Sequence, residues 1–230
     1  MKVYPSQSIR NIGIVSHQGA GKTSLTEAML FNTGAINRLG KVDEGNTVAD
    51  YHAEEIKRKI TVNTSLVACE WQDAKINLLD TPGFSDFFGE VKGALRVADC
   101  LLMVLDAVAG VEVSTEIIWE LADKTDIPRI AIINKMDREN ANFIKALESM
   151  KEKLTKQIVP IQFPIGAEAN FNGIVDLIEM KAYKYDGNGK SSEVAIPDDI
   201  LADVETYREM MIEAAAEGDD DLTMKYLEGE

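Results

Sequence analysis

The residues that could do chemistry fall in four short strings, and each suits a phosphorylated ligand. The first is Ser16-His17-Gln18-Gly19-Ala20-Gly21-Lys22-Thr23, which follows an apolar run and opens an amphipathic stretch. It departs from the strict phosphate-loop pattern GxxxxGK[ST] in having Ser16 for the first Gly. The mechanism survives that change. Gly19 and Gly21 let successive backbone N–H groups turn toward one anion, and the start of a helix adds positive potential there. Lys22 can place its ammonium on the outer phosphates, and Thr23 can offer a hydroxyl to Mg²⁺. The plain alternative is a glycine-rich helix start that binds nothing. The second string is Asp80-Thr81-Pro82-Gly83. A carboxylate there can hold Mg²⁺ through water, and Gly83 can present its N–H to a γ-phosphate. By itself such a string is a turn; its weight comes from ending the strand expected beside the phosphate-loop strand.

The third string, Asn134-Lys135-Met136-Asp137, also ends a strand. The Asp137 carboxylate can accept from both the ring N–H and the exocyclic amine of guanine, a pairing adenine cannot offer. A site that leaves a buried polar group unpaired with the wrong base discriminates by about 10⁴-fold or more. Such a string is weak alone, but in order after a phosphate loop it makes guanine the base. The fourth is Thr61, in Arg58-Lys59-Ile60-Thr61, after a polar stretch from Asn37 to Lys59 with no core periodicity. Loops of that length are usually functional or disordered. A hydroxyl at its end could complete the Mg²⁺ shell only when the γ-phosphate is present, which would make the loop a switch. Otherwise Thr61 merely starts a strand.

The elements that must position these strings alternate in type. Ile12 to Val15 is a short apolar run, and Thr23 to Asn32 reads as a helix with Leu25, Ala28 and Met29 on one face. Thr61 to Cys69 and Lys75 to Leu79 read as strands about a polar turn at Gln72-Asp73, and Ser85 to Ala98 as a helix. Leu101 to Leu105 and Ile130 to Ile133 are continuous apolar runs, as in strands covered on both faces of a parallel sheet. Glu112 to Ala122 and Asn142 to Leu154 read as helices. Strands alternating with helices predict an α/β fold with a doubly wound, mostly parallel sheet. From about Pro164 the pattern becomes α+β: an antiparallel pair over Gly173–Ile178 and Lys181–Tyr185, a turn at Asp186-Gly187-Asn188-Gly189, a long helix over Ile200–Ala216, and a short acidic helix after Gly218.

Composition narrows the partners. With 39 acidic against 24 basic residues the formal net charge of the 230-residue chain is −15. A chain so acidic repels phosphate backbones as a whole, so sequence-specific nucleic-acid binding is not expected of it. The longest apolar run, Cys100 to Leu105, falls far short of the ~20 residues that span a bilayer. Cys69 and Cys100 make no disulfide framework, and no Cys/His cluster has zinc spacing. A cytoplasmic monomer without membrane contact is the expectation.

The strings RNIGIVSHQGAGKTSLTEAML, DTPGFSDFFGEV, INKMDREN and PIGAEANFNGIVDLIEMKAY together resemble the nucleotide-binding domain of bacterial elongation factor G, from about Ser8 to the end of the chain. The last string resembles the start of that family's G-prime insert. The resemblance implies a P-loop GTPase core over 1–160 and a G-prime subdomain over 161–230. It implies phosphate contacts along His17, Gln18, Gly19, Ala20, Gly21, Lys22, Thr23 and Ser24, with Gly83 at the γ-phosphate. Mg²⁺ would be held by Thr23 and Thr61 with Asp80 in the outer shell, and guanine by Asn134, Lys135 and Asp137. GTP, GDP and Mg²⁺ are the implied ligands and the ribosome the implied partner.

Departures from the family pattern carry information too. The family has His directly after DTPG to orient the attacking water, and this chain has Phe84, which cannot hydrogen-bond. The family's P-loop Asp is Gly19 here, a usually apolar position is Gln18, and Lys59 stands for the Gly of RGIT. These changes resemble divergent paralogues of elongation factor G. Gln18 is the candidate to orient water in place of the missing His, beside Lys22, Thr61 and Gly83 in catalysis. The family's fifth nucleotide motif, a Ser-Ala string, does not follow. The chain therefore reads as an amino-terminal piece of a longer protein that lacks the last strand and helix of its sheet. Two alternatives remain open: a GTP-dependent switch with negligible hydrolysis, and a ribosomal protection factor of the tetracycline-resistance kind.

Overall fold

The computed structural model describes residues 2–155, 157–185 and 191–228, and the turn expected at Asp186 to Gly189 lies outside them. The chain divides into two compact units, Met1–Lys135 and Met136–Glu230.

In the first unit the alternation of apolar runs and amphipathic stretches becomes β1 (Ile9–Val15), α1 (Lys22–Asn32), α2 (Ala53–Arg58), β2 (Ser65–Trp71), β3 (Ala74–Asp80), α3 (Phe88–Leu95), β4 (Cys100–Asp106), α4 (Val113–Lys124) and β5 (Arg129–Asn134). The strands lie in the order β2-β3-β1-β4-β5. β1 runs parallel to β3 and β4, β4 parallel to β5, and only β2 is antiparallel to its neighbour. This is the α/β fold with a mostly parallel sheet that the sequence predicts. The continuous apolar runs sit where both faces are covered: Ile14, Val15, Leu101, Met103 and Val104 are all fully buried. β2 alternates buried and exposed residues, as an edge strand does, and reaches β3 through Gln72 and Asp73, both at positive φ. Leu25, Met29 and Leu30 of α1 pack with Ile14, Leu78 and Val104, which seats α1 against β1, β3 and β4.

Three expectations are corrected. The strand expected from Thr61 begins at Ser65, because the preceding amides are already committed to side chains. Glu55 accepts from Val62 N and Asn63 N at 3.0 and 3.1 Å, and Glu90 from Thr64 N at 2.8 Å. The helix expected over Ser85–Ala98 is a 3₁₀ turn at Ser85–Phe87 followed by α3. The stretch from Asn37 to Lys59, read as a polar loop without core periodicity, contains a 3₁₀ turn at Val42–Glu44 and α2. A six-residue helix is too short to show periodicity.

The second unit holds α5 (Phe143–Lys153), β6 (Gln162–Ile165), β7 (Gly173–Asp176), β8 (Lys181–Tyr185), β9 (Ser191–Val194), α6 (Leu201–Ala216) and α7 (Asp220–Glu228). The expected β7–β8 pair gains a strand on each side, giving an antiparallel sheet β6-β7-β8-β9. Its core is Phe163, Ile165, Val175, Leu177, Ala182 and Val204, joined by Phe143, Tyr207 and Met211. The Phe143 ring stands edge-on to Phe163 at 5.5 Å, so α5 packs within this unit. Among the described residues no helix is long and apolar enough to cross a membrane.

Candidate nucleotide site

The loop between β1 and α1 is built around two left-handed glycines, Gly19 at φ 73° and Gly21 at φ 103°. A side chain at Gly21 would also collide with the Asn134 amide. Asn134 uses that closeness: its Nδ2 donates to the Ala20 carbonyl at 2.8 Å. Lys135 Nζ donates to the Gly19 carbonyl and, at 2.8 Å, to Asp106 Oδ2. The ends of β1, β4 and β5 thus meet on one loop.

Lys22 and Thr23 open α1 and are both buried. Lys22 Nζ donates to Ser16 Oγ at 3.0 Å, and Ser16 in turn donates to the His17 carbonyl at 2.6 Å. The Ser that breaks the strict motif is therefore an acceptor for the motif's own lysine. Burial holds the Lys22 ammonium down to about 8, while Asp80 and Asp50 pull it back up. Gly83 comes so close that a Cβ would sit 2.6 Å from Lys22 Nζ and 2.7 Å from the Gln18 Cα. Only glycine fits there, and the end of β3 meets the phosphate loop through it. Phe84 follows, half-buried, and Gln18, Gly19 and Ser24 are exposed. His17 is held by Ser114 Oγ at 3.1 Å and Glu112 Oε1 at 3.3 Å.

Thr61 comes to Thr23. Their hydroxyl oxygens are 3.1 Å apart, and Thr61 donates to Asp50 Oδ1 at 2.8 Å. Beside them Asp80 is fully buried, and neither of its carboxylate oxygens has a hydrogen-bond partner. Burial pushes its carboxyl up to about 7, against the pull of the nearby Thr23 hydroxyl and the Lys22 charge. Burial also raises the Asp50 carboxyl, against the bond from Thr61. An orphaned buried carboxylate calls for an explanation. Among the described residues no cluster of three or more His, Cys, Asp or Glu could hold a metal ion. Two hydroxyls beside an unpaired carboxylate form a hard-oxygen set of another kind. It fits Mg²⁺, which keeps several waters and is bound through few protein oxygens plus phosphate. Asp137 is the second residue of the second unit and is exposed.

Sequence reasoning missed the carboxylates that brace the loop carrying Thr61. Glu27 of α1 is fully buried and accepts from Gly40 N at 3.1 Å and Val48 N at 2.5 Å. Glu55 is buried and accepts from His52 N at 3.2 Å as well as from Val62 and Asn63. Ser65 Oγ donates to the Ala49 carbonyl at 2.6 Å. Glu27 carried one signal, since it shares a helix face with Thr23 at i−4 and Leu30 at i+3. Asp50 and Glu55 carried none, because acidic residues in a polar stretch read as solvated.

A family model described as the elongation factor Tu GTP binding domain matches residues 7–219. A crystal structure of a protein from Thermus thermophilus superposes with a TM-score of 0.91 at 38% sequence identity. That alignment covers 97% of this chain and 33% of the other, so this chain spans about a third of that protein's length.

Proposed function

The chain belongs to the elongation factor Tu GTP binding domain family, and we propose that it binds GTP and GDP with Mg²⁺ and hydrolyses GTP at the γ-phosphate within an elongation factor G-like protein acting on the ribosome. Its fold is the α/β P-loop GTPase fold, and it is a GTP-binding domain of the translation-GTPase kind. The observation that carries the fuller reading is the unpaired Asp80 carboxylate beside the Thr23–Thr61 pair and the buried Lys22 ammonium.

In this reading the phosphates lie against the loop from His17 to Ser24, cradled by the N–H groups that follow Gly19 and Ala20. Lys22 exchanges Ser16 Oγ for phosphate oxygens. Thr23 and Thr61 would hold Mg²⁺ through their hydroxyl oxygens, with the Asp80 carboxylate in its outer shell. When bound, the ion would neutralise charge on the phosphates during phosphoryl transfer from GTP to water. The Gly83 N–H faces the γ-phosphate, and Asn134, Lys135 and Asp137 serve the guanine. Little covalent chemistry falls to the protein in phosphoryl transfer, so positioning the attacking water matters. Phe84 has no lone pair for that task. Gln18, an exposed residue whose backbone lies against Gly83, is the side chain to which this reading gives the task.

A second reading, a GTP-dependent switch with negligible turnover, is favoured by Phe84 alone. Single-turnover GTP hydrolysis by the full-length protein, with and without ribosomes, separates the two. The proposal expects ribosomes to accelerate hydrolysis, Gln18→Ala to slow it, and Phe84→His to raise it. Gln18→Ala as fast as the parent removes the role given to Gln18. No acceleration by ribosomes in the parent leaves the switch as the function.

A further inference from the structure

Asp106 ends β4, opposite Asn134 in the β4–β5 register. Its carboxylate is built in at both ends. Oδ1 accepts from Val108 N at 2.9 Å and Ala109 N at 3.3 Å, so the turn after β4 holds it still. Oδ2 accepts from Lys135 Nζ at 2.8 Å. Lys135 itself has a left-handed backbone at φ 61°, a conformation unfavourable for an L-residue. Its ammonium is shared between Asp106 and the Gly19 carbonyl.

The peptide unit is planar and trans, so the C=O of one residue and the N–H of the next point in opposite directions. Tying down the Gly19 carbonyl therefore aims the Ala20 N–H the other way, and the bond from Asn134 to the Ala20 carbonyl aims the Gly21 N–H likewise. In the nucleotide-site reading, these two amides are the ones that would donate to phosphate oxygens. Asp106 fixes Lys135, Lys135 fixes the Gly19–Ala20 peptide, and that peptide presents a phosphate donor. Burial works against the Asp106 charge, but the Lys135 ammonium and the two amides hold its carboxyl below the usual range. The Asp106 carboxylate therefore stays ionised near neutral pH.

We propose that Asp106 is a positioning residue that acts through Lys135 on the phosphate loop and sets the residence time of guanine nucleotides there. The inference rests on the reading of the site as a guanine-nucleotide site. It places the effect on a loop that GDP and GTP share, so the two nucleotides respond alike.

The test is the release rate of fluorescently labelled GDP and GTP from this chain, by stopped flow, in five forms: parent, Asp106→Asn, Asp106→Ser, Lys135→Ala and the Asp106→Asn/Lys135→Ala double variant. Asp106→Asn keeps a carbonyl acceptor for the Val108 and Ala109 amides and removes the charge that faces Lys135. It is expected to speed release of both nucleotides about five- to tenfold, the scale of a charge-assisted bond made neutral. In the Lys135→Ala background the same substitution is expected to change nothing further. Asp106→Ser, a second uncharged variant with a turn acceptor, is expected to match Asp106→Asn. Parent-like release from Asp106→Asn and Asp106→Ser overturns the inference. So does an acceleration of equal size with Lys135 present or absent, since that marks a turn defect, or an effect on GTP alone. If the unaltered chain binds neither nucleotide, the reading of the site falls and the inference falls with it. Normal binding with unaffected release removes the inference alone.

Discussion

Replacing Asp80 with Asn is expected to stabilise the nucleotide- and metal-free chain at pH 8 while weakening Mg²⁺-dependent nucleotide binding. The carboxyl is fully buried without a hydrogen-bond partner, and its pKa rises from 3.8 to about 7. A folded-state value above the unfolded one means that the folded chain holds the proton more tightly. The associated stability is present in full below pH 3.8 and is lost as pH rises through about 7. A shift of roughly three units corresponds to about 4 kcal/mol lost by pH 8. Asn escapes that loss, but its amide buries one more unpaired donor than the protonated acid does and takes a negative charge from the neighbourhood of Lys22. A buried polar group without a partner costs about 1–3 kcal/mol. A net gain of roughly 1–3 kcal/mol is left, or about 2–12 °C in melting temperature for a chain of this size. The assay is thermal unfolding in EDTA at pH 5 and pH 8. At pH 5 the folded chain still carries the neutral acid while the unfolded carboxyl is already largely ionised, so only about a third of that stability is lost and the variant's gain should shrink to about zero or turn slightly negative. With GTP and Mg²⁺ the ranking at pH 8 should reverse. A variant that melts below the parent at pH 8 without ligand, or one that gains as much at pH 5 as at pH 8, refutes the account of Asp80 as an unpaired buried charge.

Further outcomes follow from the same geometry. Asp137→Asn is expected to weaken GTP and GDP binding and to shift preference toward xanthine nucleotides, whose carbonyl can accept from the new amide; competition between the two bases in equilibrium binding checks it, and unchanged GDP affinity sinks the assignment. Glu55→Ala removes the acceptor of three loop amides and should cost about 1–3 kcal/mol, with amide exchange quickened at Val62 and Asn63; full protection at both would show that the brace lies elsewhere. Leu78→Ala, at a fully buried position in the core of the first unit, is expected to cost about 2–5 kcal/mol by denaturant unfolding, and a loss below about 1 kcal/mol would mean that the core around α1 collapses to fill the gap.

The order of the four strings, the α/β alternation and the mostly parallel sheet were legible in the sequence because each rests on local chemistry. A phosphate loop needs Gly19, Gly21, Lys22 and Thr23 within a few residues, and a strand covered on both faces needs an apolar run such as Leu101 to Leu105. Thr61 was also legible as the end of a polar loop, but its approach to Thr23 and Asp50 was not. That approach depends on carboxylates that look like surface charge in the sequence. Glu27, Asp50 and Glu55 are buried because loop amides and a hydroxyl meet them from residues up to 21 positions away. The same holds for Ser16, which reads as a flaw in a motif and turns out to hold the motif's lysine. The strands β6 and β9 were missed because four residues each carry too little pattern, and each is a strand only by pairing with a neighbour. Apolar burial repeats along the chain and leaves a period to be read, whereas a buried charge is satisfied by partners that only the folded backbone brings within hydrogen-bond reach.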